Sequence, residues 1–137
     1  MEQKKEIIQY TAYTKKKKYE LDNSNAFVLQ KLHLHRNDGP ALIRIYKNKK
    51  NTQINEIYYQ NNLIHRTDGP AIIRKEDGII LYEAYYINGL IHRENGPAMV
   101  WYNLKQIPYI IKYYLKNTQY KKSEFEKKLL QNKISIL

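Results

Sequence analysis

Apolar and polar residues alternate along several short stretches of this chain, and each stretch ends at glycine, proline or asparagine. Leu42–Tyr46, Ile72–Lys75 and Met99–Tyr102 each begin directly after a Gly-Pro-Ala tripeptide. A period of two predicts a strand for each. Turn residues follow at Lys47–Asn51, Glu76-Asp77-Gly78 and Asn103–Pro108, and a second strand then runs on, as in Ile79–Ile87. Asn88-Gly89 fits a type I′ hairpin turn, which needs positive φ at both central residues; Asn61-Asn62 occupies the same place one unit earlier. Near the start, Ile7–Tyr13 and Tyr19–Leu21 fit either an irregular hairpin around Lys15–Lys18 or one amphipathic helix. Near the end, Ser123-Glu124-Phe125-Glu126 matches a capping box. Phe125, Leu129, Leu130 and Ile134 then recur at helical spacing, which predicts a helix over 124–132 lying across the last hairpin and covering its open edge.

These stretches are copies of one unit. The phrase His-Arg-x-(Asp/Asn)-Gly-Pro-Ala occurs at His35–Ala41, His65–Ala71 and His92–Ala98, with glycines 30 and then 27 residues apart. Tyr58-Tyr59, Tyr85-Tyr86 and Tyr113-Tyr114 recur in step, 27 and 28 apart. A period of this size belongs to stacked supersecondary units. The fold class expected is all-β: an antiparallel array of β-hairpin repeats forming one open, curved sheet with a short C-terminal helical cap. Ala26–Leu34 aligns with the run into the next His-Arg phrase, with Val28-Leu29 where the tyrosine pairs stand. That alignment divides a single domain into an irregular basic segment (1–25), hairpin repeats (26–120) and a helical cap and tail (121–137).

The repeated phrase reads as a structural corner. Proline fixes φ and suits the first position of a strand, while glycine before it tolerates backbone angles that a Cβ forbids. An Asx turn would bond the side chain to the N–H two residues on, but here that residue is proline. Asp38, Asp68 and Asn95 therefore need another donor, either their own Arg36, Arg66 and Arg93 or the backbone after the proline. Asn in the third copy keeps an acceptor and drops the charge, which argues against a general acid. His35, His65 and His92 stand one unit apart and do not converge on a metal or acid–base centre; each is expected to bond a backbone carbonyl of the neighbouring unit. With no cysteine, disulfides and thiolate chemistry are excluded. No catalytic residue, cofactor, metal or small-molecule substrate is expected.

What remains is surface. Fourteen tyrosines and one tryptophan make a composition suited to protein interfaces. Each tyrosine pair puts one phenol on either sheet face. Arg44, Arg74 and Trp101 occupy equivalent positions on one face, which suggests Arg74 over Trp101 as a cation–π contact. Arg44, Arg74, Trp101, Tyr102, Tyr58, Tyr85 and Tyr113 are the candidates for contact with a partner protein. The net charge of +11 is uneven: residues 51–110 carry five Lys/Arg against six Asp/Glu, so the excess lies at the ends. Lys15, Lys16, Lys17, Lys18, Lys47, Lys49, Lys50, Lys121 and Lys122 form the alternative site, gripping nucleic acid or an anionic membrane. The absence of a long apolar run or a signal-like start leads to an intracellular, cytoplasmic expectation. Abundant Lys, Asn, Ile and Tyr suit an AT-rich genome.

Tyr85-Tyr86-Ile87-Asn88-Gly89-Leu90-Ile91-His92-Arg93-Glu94-Asn95-Gly96-Pro97-Ala98 resembles the divergent MORN-like repeats of the His-Arg-x-Asp-Gly-Pro-Ala subtype, and Tyr113–Leu129 resembles their closing unit and helix. The resemblance spans residues 26–130. It implies open antiparallel hairpin repeats, no enzyme, and a source among bacteriophages, large DNA viruses or low-GC bacteria. The broader group is associated with protein scaffolding and with anionic lipids. The function expected is a non-catalytic module that binds a partner protein, as a virus- or phage-encoded accessory factor acting in the host cytoplasm.

Overall fold

The computed structural model describes residues 6–136. Strands β1 (Ile7–Tyr13) and β2 (Lys18–Asp22) come first, followed by a 3₁₀ segment, Ala26–Lys31. Next are β3 (Leu42–Lys47) and β4 (Thr52–Ile57), with two short strands, β5 (Tyr59–Gln60) and β6 (Leu63–Ile64). β7 (Ile72–Glu76), β8 (Ile79–Ala84), β9 (Tyr86–Ile87) and β10 (Leu90–Ile91) repeat that order. β11 (Met99–Tyr102), β12 (Pro108–Leu115), β13 (Thr118–Tyr120) and helix α1 (Lys122–Ile136) complete the chain.

Nine strands make one open antiparallel sheet in the order β13-β12-β11-β8-β7-β4-β3-β1-β2. β5 with β6, and β9 with β10, form separate two-stranded ladders. The expected strands are present, with one difference: Ile79–Ile87 is broken at Tyr85. There the backbone leaves the main sheet, because the Tyr85 N–H donates to Ala98 O while Tyr85 O accepts from the His92 N–H. Tyr58 does the same between Ala71 and His65. Positive φ at Asn61-Asn62, Asp77-Gly78, Asn88-Gly89 and Lys116-Asn117 marks four two-residue turns of one handedness, matching the twist of their flanking strands.

The start of the chain corrects the alignment made from sequence. Of the two readings of residues 7–21, the hairpin around Lys15–Lys18 holds and the helix does not: β1 and β2 are regular strands that pair around a turn closed by the Thr14 N–H to Lys17 O. β1 also pairs with β3 from Ile7↔Lys47 to Ala12↔Leu42, leaving β2 at the sheet edge. The Tyr13 N–H donates to Ala41 O, and Tyr13 O accepts from the His35 N–H. Tyr13 is therefore the counterpart of Tyr58 and Tyr85, and the array begins at residue 7, not residue 26. Val28 and Leu29 do not stand where the tyrosine pairs stand; they lie in the 3₁₀ segment, from which Leu29 packs on the core.

The core is a row of small and branched side chains where short ladders fold against the sheet. Ala12, Ala41, Ala71, Ala84 and Ala98 have no exposed surface, and Leu34, Leu42 and Ile57 are buried with them. Alanine recurs because its backbone passes close to the neighbouring strand: the Ala41 N–H donates to Ile57 O, and that of Ala71 to Ala84 O. At the far end α1 packs on β12 and β13 through buried Phe125. The helix starts earlier than its sequence suggests. The Phe125 N–H bonds Lys121 O, and Glu124 accepts from the Lys121 N–H, so Lys121 is the N-cap and Ser123 lies inside the first turn.

Candidate functional site

The three corners share one geometry. Nε–H of Arg36, Arg66 and Arg93 donates to Oδ1 of Asp38, Asp68 and Asn95 at 3.0, 2.9 and 3.1 Å. A second guanidinium N–H donates to the carbonyl of Pro40, Pro70 or Pro97, each at 3.1 Å. Each guanidinium lies over a phenol ring, Tyr13, Tyr58 or Tyr85, at 3.9, 4.0 and 3.9 Å from the centroid. The Arg36 guanidinium holds the Asp38 carboxyl below its ordinary range. The glycine's role differs from the one expected. Its backbone is not left-handed at Gly39, Gly69 or Gly96; instead a Cβ would lie 3.0–3.1 Å from the Arg Cζ.

The histidines lock one unit to the next, with the polarity opposite to that expected. Nδ1 of His35, His65 and His92 accepts from the backbone N–H of Asn61, Asn88 and Lys116 at 3.0, 2.9 and 3.0 Å. Each imidazole thus joins a backbone donor rather than a carbonyl, which fixes its proton on Nε2. Clefts of about 680 and 770 Å³ separate successive corners. Among the described residues no three His, Asp or Glu side chains gather in metal-binding geometry.

The tyrosine pairs divide as their alternation predicts. Tyr58 and Tyr85 serve as platforms for arginine, and Tyr113 packs against Phe125 at 4.9 Å, so α1 supplies the cover that a fourth corner would. These three partner candidates are engaged within the fold. Their neighbours turn the other way. Burial pushes the Tyr59 phenol up against the opposing pull of Arg44, and raises Tyr86 beside Tyr114.

That other face carries a continuous row. Tyr10, Arg44, Asn55, Arg74, Tyr82, Trp101 and Ile110 are successive register partners across seven strands, from β1 to β12. Arg44, Arg74 and Trp101 do share a face, but Arg74 does not cover Trp101. β8 lies between their strands, so Arg74 sits over Tyr82 at 5.6 Å, and Tyr82 packs on Trp101 at 4.8 Å. Lys112 takes the place over Trp101, at 5.5 Å. Burial pushes the Tyr82 phenol up to about 12, with Tyr86 adding to the shift and Arg74 opposing it. Nε of Arg44 and Oδ1 of Asn55 are shielded from solvent and have no partner among the described residues.

Tyr102 lies on the opposite face. Its hydroxyl donates to Glu83 at 2.8 Å, and burial together with that carboxylate pushes it up to about 12. Glu56 on the same face pairs with Lys75 at 3.0 Å. Both acids there have partners, one a cation and one a phenol, whereas Arg44, Arg74 and Lys112 face no acid in their own two rows.

The lysines fall in three separate places. Lys15–Lys18 sit at the β1–β2 turn, beside the Leu42 end of β3, while Lys47, Lys49 and Lys50 sit at its other end. Lys121 and Lys122 begin α1. Lys17 rests over Tyr19 at 4.6 Å, and Lys18 pairs with Glu20 at 3.1 Å, which raises the ammonium above its ordinary value.

Sequence reasoning missed an apolar patch on the β11–β12 hairpin. Leu104, Ile107, Tyr109, Ile110 and Ile111 are all exposed. Leu104, Ile107 and Tyr109 gather beside Tyr102, whereas Ile110 alone stands in the Trp101 row and Ile111 points to the other face. The signal was present: Leu104 and Ile107 are apolar residues in a turn. No helix among the described residues is long and apolar enough to cross a membrane. Set against family models, curated proteins and solved structures, the chain matches none.

Proposed function

We propose that this chain is a non-catalytic repeat module that binds a partner protein through the Arg44–Trp101 face and the adjoining β11–β12 hairpin. The observation behind this reading is the row itself. Arginine, tyrosine and tryptophan, the residue types that dominate interface energetics, stand side by side, and exposed Ile110 is next in the row. The MORN-like resemblance and the AT-rich composition extend the proposal to a virus- or phage-encoded factor that holds or blocks a host component in the cytoplasm. The lysine clusters favour the electrostatic alternative less, because they point to three regions and not to one groove.

The test is capture of a partner from host lysate, followed by titration of that partner against wild type and Trp101→Ala. A hot spot predicts a loss of at least about 2 kcal/mol for the truncation. A raise from about 50 to about 200 mM salt should weaken binding only modestly, whereas a grip on six to ten phosphates loses about 10³–10⁵. A steep salt slope with indifference to Trp101→Ala overturns the reading.

A further inference from the structure

Arg44, Arg74 and Trp101 lie on β3, β7 and β11, with β4 and β8 between them. Strands in a sheet are about 4.8 Å apart, so these three side chains recur at about 9.6 Å. A polyproline II helix repeats every three residues with about 3.1 Å rise, close to 9.3 Å per turn, and puts every third side chain on one face. A β-strand would put positions three apart on opposite faces. The pitch of the repeat therefore matches the pitch of that one extended conformation, lying across the strands.

Charge and hydrogen bonding then select its chemistry. The first two positions are arginines in a row that holds no carboxylate; Glu76, one row away on the same face, accepts from the Asn51 amide, and the third position is an indole with a cation over it. Between the arginines stands Asn55, whose amide carries both a donor and an acceptor. Its Oδ1 and Nε of Arg44 are shielded from solvent, so a docking segment can reach only the outer atoms of these side chains. A polyproline II segment has no internal hydrogen bonds and offers both groups from each non-proline peptide unit. A phosphodiester backbone offers acceptors alone.

We infer that the Arg44–Arg74–Trp101 row binds an acidic segment of a partner protein in the polyproline II conformation, with carboxylates at positions i and i+3 and an apolar ring at i+6. This deepens the proposed function and rests on it. The carboxylates meet Arg44 and Arg74, and the ring meets Trp101.

The probe is a fluorescein-labelled peptide, Glu-Ala-Pro-Glu-Ala-Pro-Phe-Ala-Pro, followed by anisotropy. A permuted peptide of the same composition with adjacent glutamates and a single-stranded deoxythymidine oligonucleotide serve as comparisons. Binding by the first peptide is expected to be about tenfold tighter than by the permuted one. Arg44→Gln and Arg74→Gln should each weaken it about tenfold, and Lys127→Gln, on α1 and outside the row, should leave it unchanged. Equal binding of both peptides overturns the spacing argument without requiring any variant to fold. No binding at millimolar peptide, or indifference to both arginine substitutions, overturns the acidic segment. An oligonucleotide that binds more tightly than the peptide, and loses affinity with Arg74→Gln, assigns the row to phosphates instead. Capture of a partner that depends on Trp101 but survives both arginine substitutions sinks this inference alone; loss of Trp101 dependence sinks the proposed function with it.

Discussion

Cζ of Arg66 lies 3.0 Å from where a Cβ on Gly69 would stand, so the glycine of each corner is reserved by its own arginine. The guanidinium cannot retreat easily. Tyr58 lies beneath it, and Asp68 and Pro70 hold its nitrogens. Gly69→Ala should therefore destabilise the domain by about 1–3 kcal/mol, the usual cost of overpacking. In an Arg66→Ala background the same substitution should cost far less, since the obstacle is gone. Urea unfolding of the four proteins in this cycle measures the coupling. An equal cost in both backgrounds would place the constraint in the backbone instead.

The histidine lock makes a sharper prediction. Nδ1 of His65 accepts from the Asn88 N–H at 2.9 Å. His65→Ala removes the acceptor and should cost about 0.5–1.5 kcal/mol. His65→Asn places an amide oxygen at the same distance along the side chain and should recover most of that. Hydrogen exchange at the Asn88 amide reads this directly: faster in the alanine variant, near wild type in the asparagine variant. Equal exchange in all three proteins would contradict the assigned role.

Local chemistry was legible in the sequence where it acts within a few residues. The hairpin turns followed from Asn-Gly, Asn-Asn and Asp-Gly, and the missing N–H of Pro70 narrowed the donor for Asp68 to two, of which the structure takes Arg66. What failed depended on strand order. Tyr13 supplies the platform for Arg36 from far upstream, because β1 inserts beside β3 while β2 takes the edge. Arg74 and Trp101 were aligned correctly as equivalents, yet β8 separates their strands and brings Tyr82 between them. Half of the expected surface was consumed by the fold, since the first tyrosine of each pair faces a corner or α1. The glycine was misread because the obstacle is a side chain three residues away, and no φ preference encodes it.

The helix at the end of the array is held chiefly by Phe125, with half-buried Leu129 one turn on. Phe125 is buried against Tyr113, whereas Leu130 and Ile134 are exposed. Truncating a buried phenylalanine costs about 3–5 kcal/mol, and a helix this short is marginal without tertiary contact. Phe125→Ala should therefore melt α1 selectively. The helical far-ultraviolet signal should fall while amide protection in β3, β4, β7 and β8 persists. Loss of protection throughout the sheet would instead make the helix integral to the array.

Two phenols give the domain an alkaline limit. Tyr82 is pushed up to about 12 chiefly by burial, and Tyr102 to about 12 by burial and then by Glu83. At pH values below the ordinary tyrosine value of 10 both are protonated whether the chain is folded or not, so they add no pH dependence. From there to about pH 12 the unfolded chain has lost protons that the folded chain keeps. Unfolding then releases protons, and rising pH favours it. Stability should therefore hold through neutral pH and fall as pH climbs from 10 toward 12, with Tyr82 and Tyr102 ionising late in an absorbance titration and Tyr59 and Tyr86 also raised. Tyr82→Phe removes one such group without removing its ring from Trp101. Its urea midpoint should decline less steeply over that range than that of wild type, and Tyr82→Phe/Tyr102→Phe less steeply still. Parallel slopes for wild type and both variants would show that other groups, lysines foremost, set the alkaline limit.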